Sequence, residues 1–153
     1  MRFSSHLFSM VTTTLYSFEL TLPLSLKEAE TRVRESLLQE KFGIISEIDI
    51  QAKLKEKLGV DHPPHKILGA CNPKLAHEAL QGNIDVALAL PCNVVLREEN
   101  GETHVSALKP SVALEPFKGL KVQETACTAE EALERVFDSF CDLLRHHHSS
   151  PHS

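Results

Sequence analysis

The stretch from His65 to Glu98 constrains the fold of this chain more than any other. It reads HKILGACNPKLAHEALQGNIDVALALPCNVVLRE and contains two of the four cysteines and the densest apolar runs. ILGA at 67–70 predicts a short buried strand. Asn72 and then Pro73 predict a helix start, because asparagine caps free N–H groups and proline suits the first helical position. VALALPCNVVLRE, at 86–98, predicts a long strand that Pro91 interrupts.

The residues nearest the N-terminus predict a strand followed by a helix. From 13 to 22 the chain is rich in β-branched and aromatic residues, which favour a strand. Ser25 and Glu28 have the spacing of a capping box, and apolar residues follow every three or four positions. A helix is therefore predicted over about 26–41, and Gly43 is expected to close it.

Two further segments have clear local signals. IISEIDI at 44–50 predicts a strand. Asp49 is a suitable cap for a brief helix, and Gly59 is a suitable end for it. Asn100 followed by Gly101 is the strongest short signal for a hairpin turn, so HVSAL at 104–108 is expected to pair with the strand before it.

The last part of the domain predicts a short strand near 120–123 and then a closing helix. Thr128 and Glu131 have the spacing of a second capping box. Apolar residues at helical spacing continue the predicted helix to about Arg145.

This order of elements predicts an α+β fold, with strands linked by hairpins and helices on one side of the sheet. At 153 residues the chain fits one domain, which we place at residues 11–145. Residues 1–10 and the polar, His-rich residues 146–153 are expected to be disordered. Met10 is an alternative to Met1 as the natural start.

Composition excludes several classes of protein. The net charge is −5 and the lysines are interleaved with acidic residues, which argues against a nucleic-acid partner. No apolar run of about 18 residues predicts a membrane span. The four cysteines are widely separated and form no CxxC pair, so free thiols in a reducing, cytoplasmic compartment are expected.

Three segments resemble a known family. FGIISEIDIQAKLKEKLGVD, ILGACNPKLAHEAL and ALALPCNVVLRE are similar to the bacterial and archaeal family called domain of unknown function 302, and the resemblance runs from about Leu15 to Phe140. Its most specific pieces are the turn at 71–73 and the LPCN segment at 90–93. The resemblance implies a fold similar to the TATA-binding-protein-like class, with a curved antiparallel sheet crossed by a long C-terminal helix and commonly paired as a homodimer. It implies no established activity.

Cys71 and Cys92, each beside an asparagine, are the leading candidates for a site. Cys71 comes just before a helix N-terminus, where free N–H groups favour a thiolate and lower its pKa. Pro91 could turn Cys92 and Asn93 towards a cavity. The alternatives are that Cys92 is a small core residue and that the turn of Cys71, Asn72 and Pro73 simply needs a small side chain.

Metal binding and acid–base chemistry have weaker signals. His65, Cys71, His77 and Cys92 offer two nitrogen and two sulfur donors, but not the close spacing of zinc sites. A haem or copper site with a single Cys or His ligand stays open. Glu47 could be a general base facing a pocket or a surface partner for a lysine.

The sequence therefore predicts a cytosolic homodimeric binding protein. Its ligand would be a small molecule, a metal ion or haem, held beside Cys71, Asn72, Pro73, Cys92 and Asn93, with Glu47 nearby. Binding is preferred to catalysis because no acid–base set converges and no oxyanion-hole motif accompanies a Cys–His pair. The alternative is a redox protein that uses Cys71 and Cys92 as a reversible pair, which requires Cα atoms within about 7 Å.

Overall fold

The computed structural model describes the backbone of residues 11–149 and the side chains of residues 11–142. The predicted disordered residues 1–10 and 150–153 lie outside this range, and the backbone of 146–149 continues the last helix. The elements are β1 (Thr12–Thr13), β2 (Ser17–Leu22), α1 (Leu26–Gln39), β3 (Gly43–Asp49), α2 (Ile50–Leu58), β4 (His65–Cys71), α3 (Pro73–Gly82), a 3-10 helix (Ile84–Ala89), β5 (Cys92–Glu99), β6 (Glu102–Leu108), α4 (Pro110–Ala113) and α5 (Leu120–Ser149).

The strands form one antiparallel sheet in the order β1-β2-β6-β5-β4-β3. The helices lie on one side of it, and α5 is the long C-terminal helix. The α+β fold class predicted from the sequence is confirmed. No helix within residues 11–149 is both long enough and apolar enough to span a membrane.

The main core lies between the sheet and helices α1 and α5. Alternate strand residues point to it, as in Leu68 of β4, Val94 of β5 and Val105 of β6, each of which is almost completely buried. Helix α1 adds Val33 and Leu37, and α5 adds Leu133, Phe137 and Phe140. A second, smaller cluster packs α3 and α4 against the first half of α5.

Most of the predicted caps are confirmed. Ser25 and Glu28 form the capping box of α1, Asp49 caps α2, Gly59 ends α2 in the left-handed region, and Asn72 caps α3. The Asn100–Gly101 hairpin is also confirmed, with positive φ at both residues.

Gly43 does not close α1, because the left-handed residue there is Lys41, at φ 69°, and Gly43 is already the first residue of β3. The predicted first strand is two strands, β1 and β2, joined by a turn. The Thr14 hydroxyl accepts hydrogen bonds from the backbone N–H groups of Tyr16 and Ser17 at that turn.

The predicted long strand over 86–98 is wrong in its first half. Residues Ile84–Ala89 form a 3-10 helix, a cis peptide joins Leu90 to Pro91, and β5 begins only at Cys92. The Asn83 side chain accepts a hydrogen bond from Asp85 N–H and donates one to Lys118 O, so it starts a helical turn. Apolar runs do not separate strand from helix by themselves.

The predicted strand near 120–123 is also wrong, because α5 begins at Leu120. Val122, Ala126 and Leu133 continue one buried helix face through this region. Thr128 therefore lies inside the helix, where its hydroxyl donates to Glu124 O at 3.1 Å instead of capping a helix N-terminus.

Candidate functional site

A cavity of about 310 Å³ lies between the helices and one end of the central strands of the sheet. The ends of β4 and β6 and the start of β5 form one wall, and helices α3, α4 and α5 with the 3-10 helix form the others. The lining residues are Phe42, Ala70, Cys71, Asn72, Leu75, Ala76, Ala79, Leu88, Ala89, Leu90, Pro91, Cys92, Asn93, Leu108, Pro110, Ala113, Leu114, Thr125 and Ala129. The volume is at the lower end of the range for small-molecule sites.

Small side chains create this space. Six of the lining residues are alanines, including Ala76 and Ala79 on α3 and Ala129 on α5, two helices that pack against each other. Where only methyl groups face each other, a gap remains between the helices. In the main core, larger side chains close such gaps. The cavity therefore follows from the pattern of alanines on the helices, which periodicity alone does not distinguish from core.

Cys71 and Asn72 reach the cavity from the end of β4. Asn72 is fixed on both sides, because its Oδ1 accepts from Leu75 N–H at 3.2 Å and its Nδ2 donates to Glu40 O at 3.4 Å. Burial raises the pKa of the Cys71 thiol. The direction is opposite to the lowering predicted from the helix N-terminus, because burial disfavours the charged thiolate.

Cys92 and Asn93 reach the cavity from the start of β5. Cys92 lies opposite Ala70 in the β4–β5 ladder and shares the helix-covered face with Val94. Burial, and then the nearby Cys71, raise the pKa of Cys92 to about 11. Both thiols are therefore protonated at neutral pH, which makes them poor nucleophiles. None of the four cysteines forms a disulfide.

Thr125 is the lining residue that the sequence analysis missed. It lies on α5, the residue is only 6% exposed, and it lines the cavity. Among the described residues its hydroxyl has no hydrogen-bond partner, whereas Thr128 on the same helix bonds a backbone carbonyl. The sequence predicts a strand at 120–123 and a helix that starts at Thr128, and so assigns Thr125 to the loop between them. Its position on a buried helix face was therefore not recognised.

Among the residues whose side chains are described, the cavity lining contains no lysine, arginine, histidine, aspartate or glutamate. The described lining residues with polar side chains are Cys71, Asn72, Cys92, Asn93 and Thr125. An uncharged lining of this kind suits an uncharged, largely apolar molecule, because a buried charge without a partner is costly.

Two other predicted site residues lie away from the cavity wall. Pro73 is exposed at the start of α3 and does not line the cavity. Glu47 lies on the edge strand β3, with its carboxylate 2.6 Å from Arg34 Nη2 and 3.5 Å from Lys66 Nζ. Glu47 thus has the cationic partners expected of a surface ion pair.

The two predicted histidine ligands also lie elsewhere. His65 begins β4, roughly 20 Å from Cys71 at its other end by the rise of a strand. It stacks on His62, with Nε2 of His62 3.0 Å from Nδ1 of His65. Burial, then the charges of His62 and Arg97, lower the pKa of His65.

His77 is exposed on α3 and does not line the cavity. The structure does not bring His65, Cys71, His77 and Cys92 together. Within the part of the chain whose side chains are described, no group of three or more His, Cys, Asp or Glu residues could hold a metal ion.

Fold and site together define a small α+β protein with an antiparallel sheet, a helical layer on one side and a mostly apolar cavity at one end of the central strands. The chain belongs to the family described as domain of unknown function DUF302, whose family model matches residues 18–140. This confirms the resemblance found in the sequence. A search of curated proteins found no match.

One solved structure is similar over most of this chain. It is the crystal structure of an uncharacterised conserved DUF302 protein from Bacillus stearothermophilus, at 32% sequence identity. The two superpose with a TM-score of 0.75, and the match covers 82% of this chain and 98% of that chain. The likeness supports the fold and assigns no activity.

Proposed function

We propose that this protein binds a small organic molecule in the cavity beside Cys71 and Cys92. The observation that carries the proposal is convergence: four of the six predicted ligand-binding residues, Cys71, Asn72, Cys92 and Asn93, line one apolar cavity of about 310 Å³. Apolar walls with a few polar groups are typical of small-molecule sites.

A metal ion or haem fits these residues less well than an organic molecule does. The described lining residues offer two protonated thiols and neither a histidine nor a carboxylate, whereas structural zinc sites use four such ligands. Haem could use a single cysteine, but the cavity volume is at the small end even for compact ligands.

Catalysis and thiol redox chemistry have less support than binding. Among the described lining residues the two thiols are the only ionisable groups, so this part of the chain places no carboxylate, histidine or lysine beside a bound molecule as a general acid or base. The raised pKa values of both thiols disfavour the thiolate that disulfide exchange requires. Thiol titration before and after mild oxidation tests the redox alternative, and we expect all four thiols to remain.

Amide chemical-shift mapping of the full-length, ¹⁵N-labelled protein with toluene as the probe tests the proposal. We expect saturable shifts at the end of β4, the start of β5 and the facing parts of α3 and α5. The amides near His62 and His65 provide an internal control, because they lie at the other end of β4. Absence of saturable shifts, or shifts confined to that control region, would overturn the proposal.

The homodimer and the cytoplasmic location stay predictions. The first derives from the family resemblance and the second from the use of cysteine. Sedimentation velocity of the full chain tests the dimer directly, and a species of one chain mass at all concentrations would contradict it.

A further inference from the structure

We infer that the cavity takes an uncharged molecule that carries one hydroxyl or carbonyl oxygen, and that this oxygen pairs with the Thr125 hydroxyl. The inference rests on the proposed binding function and names the class of ligand. It starts from Thr125, a buried residue that lines the cavity and whose hydroxyl has no hydrogen-bond partner among residues 11–142.

The Thr125 hydroxyl is unusual within its own helix. Thr128 and Ser139 each donate to a backbone carbonyl one turn earlier, at 3.1 and 2.7 Å. Such bonds satisfy a threonine or serine in mid-helix. Thr125 makes no such bond although it is only 6% exposed. Because a buried polar group without a partner is destabilising, its retention in an apolar wall points to a partner that enters the cavity.

The charge of the lining restricts what that partner is. No charged side chain among residues 11–142 lines the cavity, and burial raises the pKa of the Cys71 and Cys92 thiols and so favours their neutral forms. A carboxylate or an ammonium group would lose its hydration there without gaining a counter-ion. A hydroxyl or carbonyl group loses much less and needs one hydrogen bond, which Thr125 can give or accept.

The rim of the cavity indicates where the rest of the molecule lies. Three lining residues are exposed: Leu88 at 84%, Leu108 at 41%, and Asn93. The opening therefore has two leucines and one amide. We place the polar end of the ligand inward at Thr125, because its apolar part can then contact the alanine-rich walls and the exposed leucines.

Three probes of similar size test this inference: toluene, benzyl alcohol and benzoate. They are titrated into full-length wild type, Thr125→Val and Thr125→Ser, with dissociation constants from amide shifts. The dissociation constant of toluene divided by that of benzyl alcohol removes the apolar contacts that both probes make. Because Thr125→Val removes one neutral hydrogen bond to benzyl alcohol, the dissociation constant of benzyl alcohol should rise and this ratio should fall about 2- to 10-fold. Thr125→Ser should keep the wild-type ratio, and benzoate should bind at least about tenfold more weakly than benzyl alcohol.

The outcomes separate this inference from the proposed function. An unchanged ratio in Thr125→Val with toluene still bound overturns the inference and leaves the binding site in place. Benzoate binding as tightly as benzyl alcohol in the wild type also overturns it, and needs no variant to fold. If toluene and benzyl alcohol both fail to bind the wild type, the proposed function and the inference fall together.

Discussion

Ala70 and Cys92 lie directly opposite each other in the antiparallel ladder of β4 and β5. Their side chains share the helix-covered face, and both line the cavity. Because Ala70 is small, the Cys92 thiol borders open space instead of a packed neighbour. This pair forms the floor of the site, and the alanines of α3 and α5 form its roof.

Thr125→Val should stabilise the ligand-free protein by about 0.5–2 kcal/mol, because it replaces an unpartnered buried hydroxyl with a methyl group of the same size. Thr103 is the matched control, since it is completely buried and its hydroxyl donates to Leu24 O at 2.9 Å. Thr103→Val should destabilise by about 1–3 kcal/mol because it leaves that carbonyl unpaired. Urea unfolding measures both changes, and equal losses in the two variants would contradict the difference in hydrogen bonding.

Alkylation by iodoacetamide should be slow at Cys92 and fast at the exposed Cys127. With a pKa of about 11, only about one Cys92 in ten thousand is a thiolate at pH 7. Peptide mass spectrometry at several pH values should show the Cys92 rate rising up to about pH 11, and bound toluene should lower it. Equal rates at Cys92 and Cys127 at pH 7.5 would contradict the burial of Cys92.

The same raised pKa makes stability depend on alkaline pH. Folding favours the protonated Cys92 thiol, so this contribution is complete below the ordinary thiol pKa of about 9 and is lost as the pH rises through about 11. The free energy of unfolding of wild type should therefore fall more steeply between pH 9 and 11 than that of Cys92→Ala. If the free energies of unfolding of wild type and Cys92→Ala fell in parallel over this pH range, the raised pKa of Cys92 would be contradicted.

Gly69→Ala should destabilise the fold by about 1–3 kcal/mol. A Cβ at Gly69 would lie 2.8 Å from Pro91 Cγ and would overlap the Ser46 hydroxyl, and Pro91 is too stiff to move away easily. Gly43→Ala is the control, because a Cβ there meets nothing within 4 Å. Thermal unfolding should show a lower midpoint for Gly69→Ala and an unchanged midpoint for Gly43→Ala. Adding Ser46→Ala to Gly69→Ala should recover part of the lost stability. If nothing is recovered, the overlap with the Ser46 hydroxyl is not part of the cause.

Glu30→Gln should lower the free energy of unfolding by about 1–2 kcal/mol, and Glu47→Gln should lower it by less than about 1 kcal/mol. Glu30 is largely buried and contacts Arg34 Nη2 at 2.8 Å and Lys66 Nζ at 2.9 Å, whereas the Glu47 side chain is 50% exposed. Urea unfolding of the two variants measures the difference. A larger loss for Glu47→Gln would contradict a surface role for Glu47.

The same contacts make the contribution of Glu30 to stability depend on acid pH. Burial opposes its ionisation, but the bonds from Lys66 and Arg34 outweigh burial and hold the pKa of Glu30 below its ordinary value. Its contribution is therefore present above the ordinary carboxyl pKa and is lost as the pH falls through the lower value in the folded protein. Glu30→Gln should remove this part of the acid sensitivity, and an unchanged acid titration of stability would contradict it.

The sequence predicted features that local chemistry controls. The caps at Ser25, Asp49 and Asn72 and the turn at Asn100–Gly101 depend on side chains within a few residues, so they could be read directly. The same is true of Cys71 and Cys92, which flank recognisable breaks at Asn72–Pro73 and Pro91.

Tertiary contacts controlled the features that could not be predicted. The segment Ile84–Ala89 is apolar enough for a strand, but the hydrogen bond from Asn83 Nδ2 to Lys118 O, 35 residues away, ties it to the start of α5. The start of α5 was missed for a related reason, because its first buried residue, Val122, belongs to the same buried cluster as Val86 of that segment. Thr125 became recognisable only when the helix and the cavity were both known.

Ala129 and Ala132 lie one helical turn apart on α5 and give the most direct test of the binding site. Ala129 lines the cavity, whereas Ala132 packs in the main core. Ala129→Leu should fill the cavity, weaken toluene binding at least about tenfold and change stability by less than about 1 kcal/mol.

Ala132→Leu should bind toluene as the wild type does and lose about 1–3 kcal/mol of stability through overpacking. Amide-shift titrations and urea unfolding of both variants measure the two effects together. Loss of toluene binding in Ala129→Leu alone is the predicted result. Wild-type toluene affinity in a folded Ala129→Leu protein would show that the molecule does not bind in this cavity.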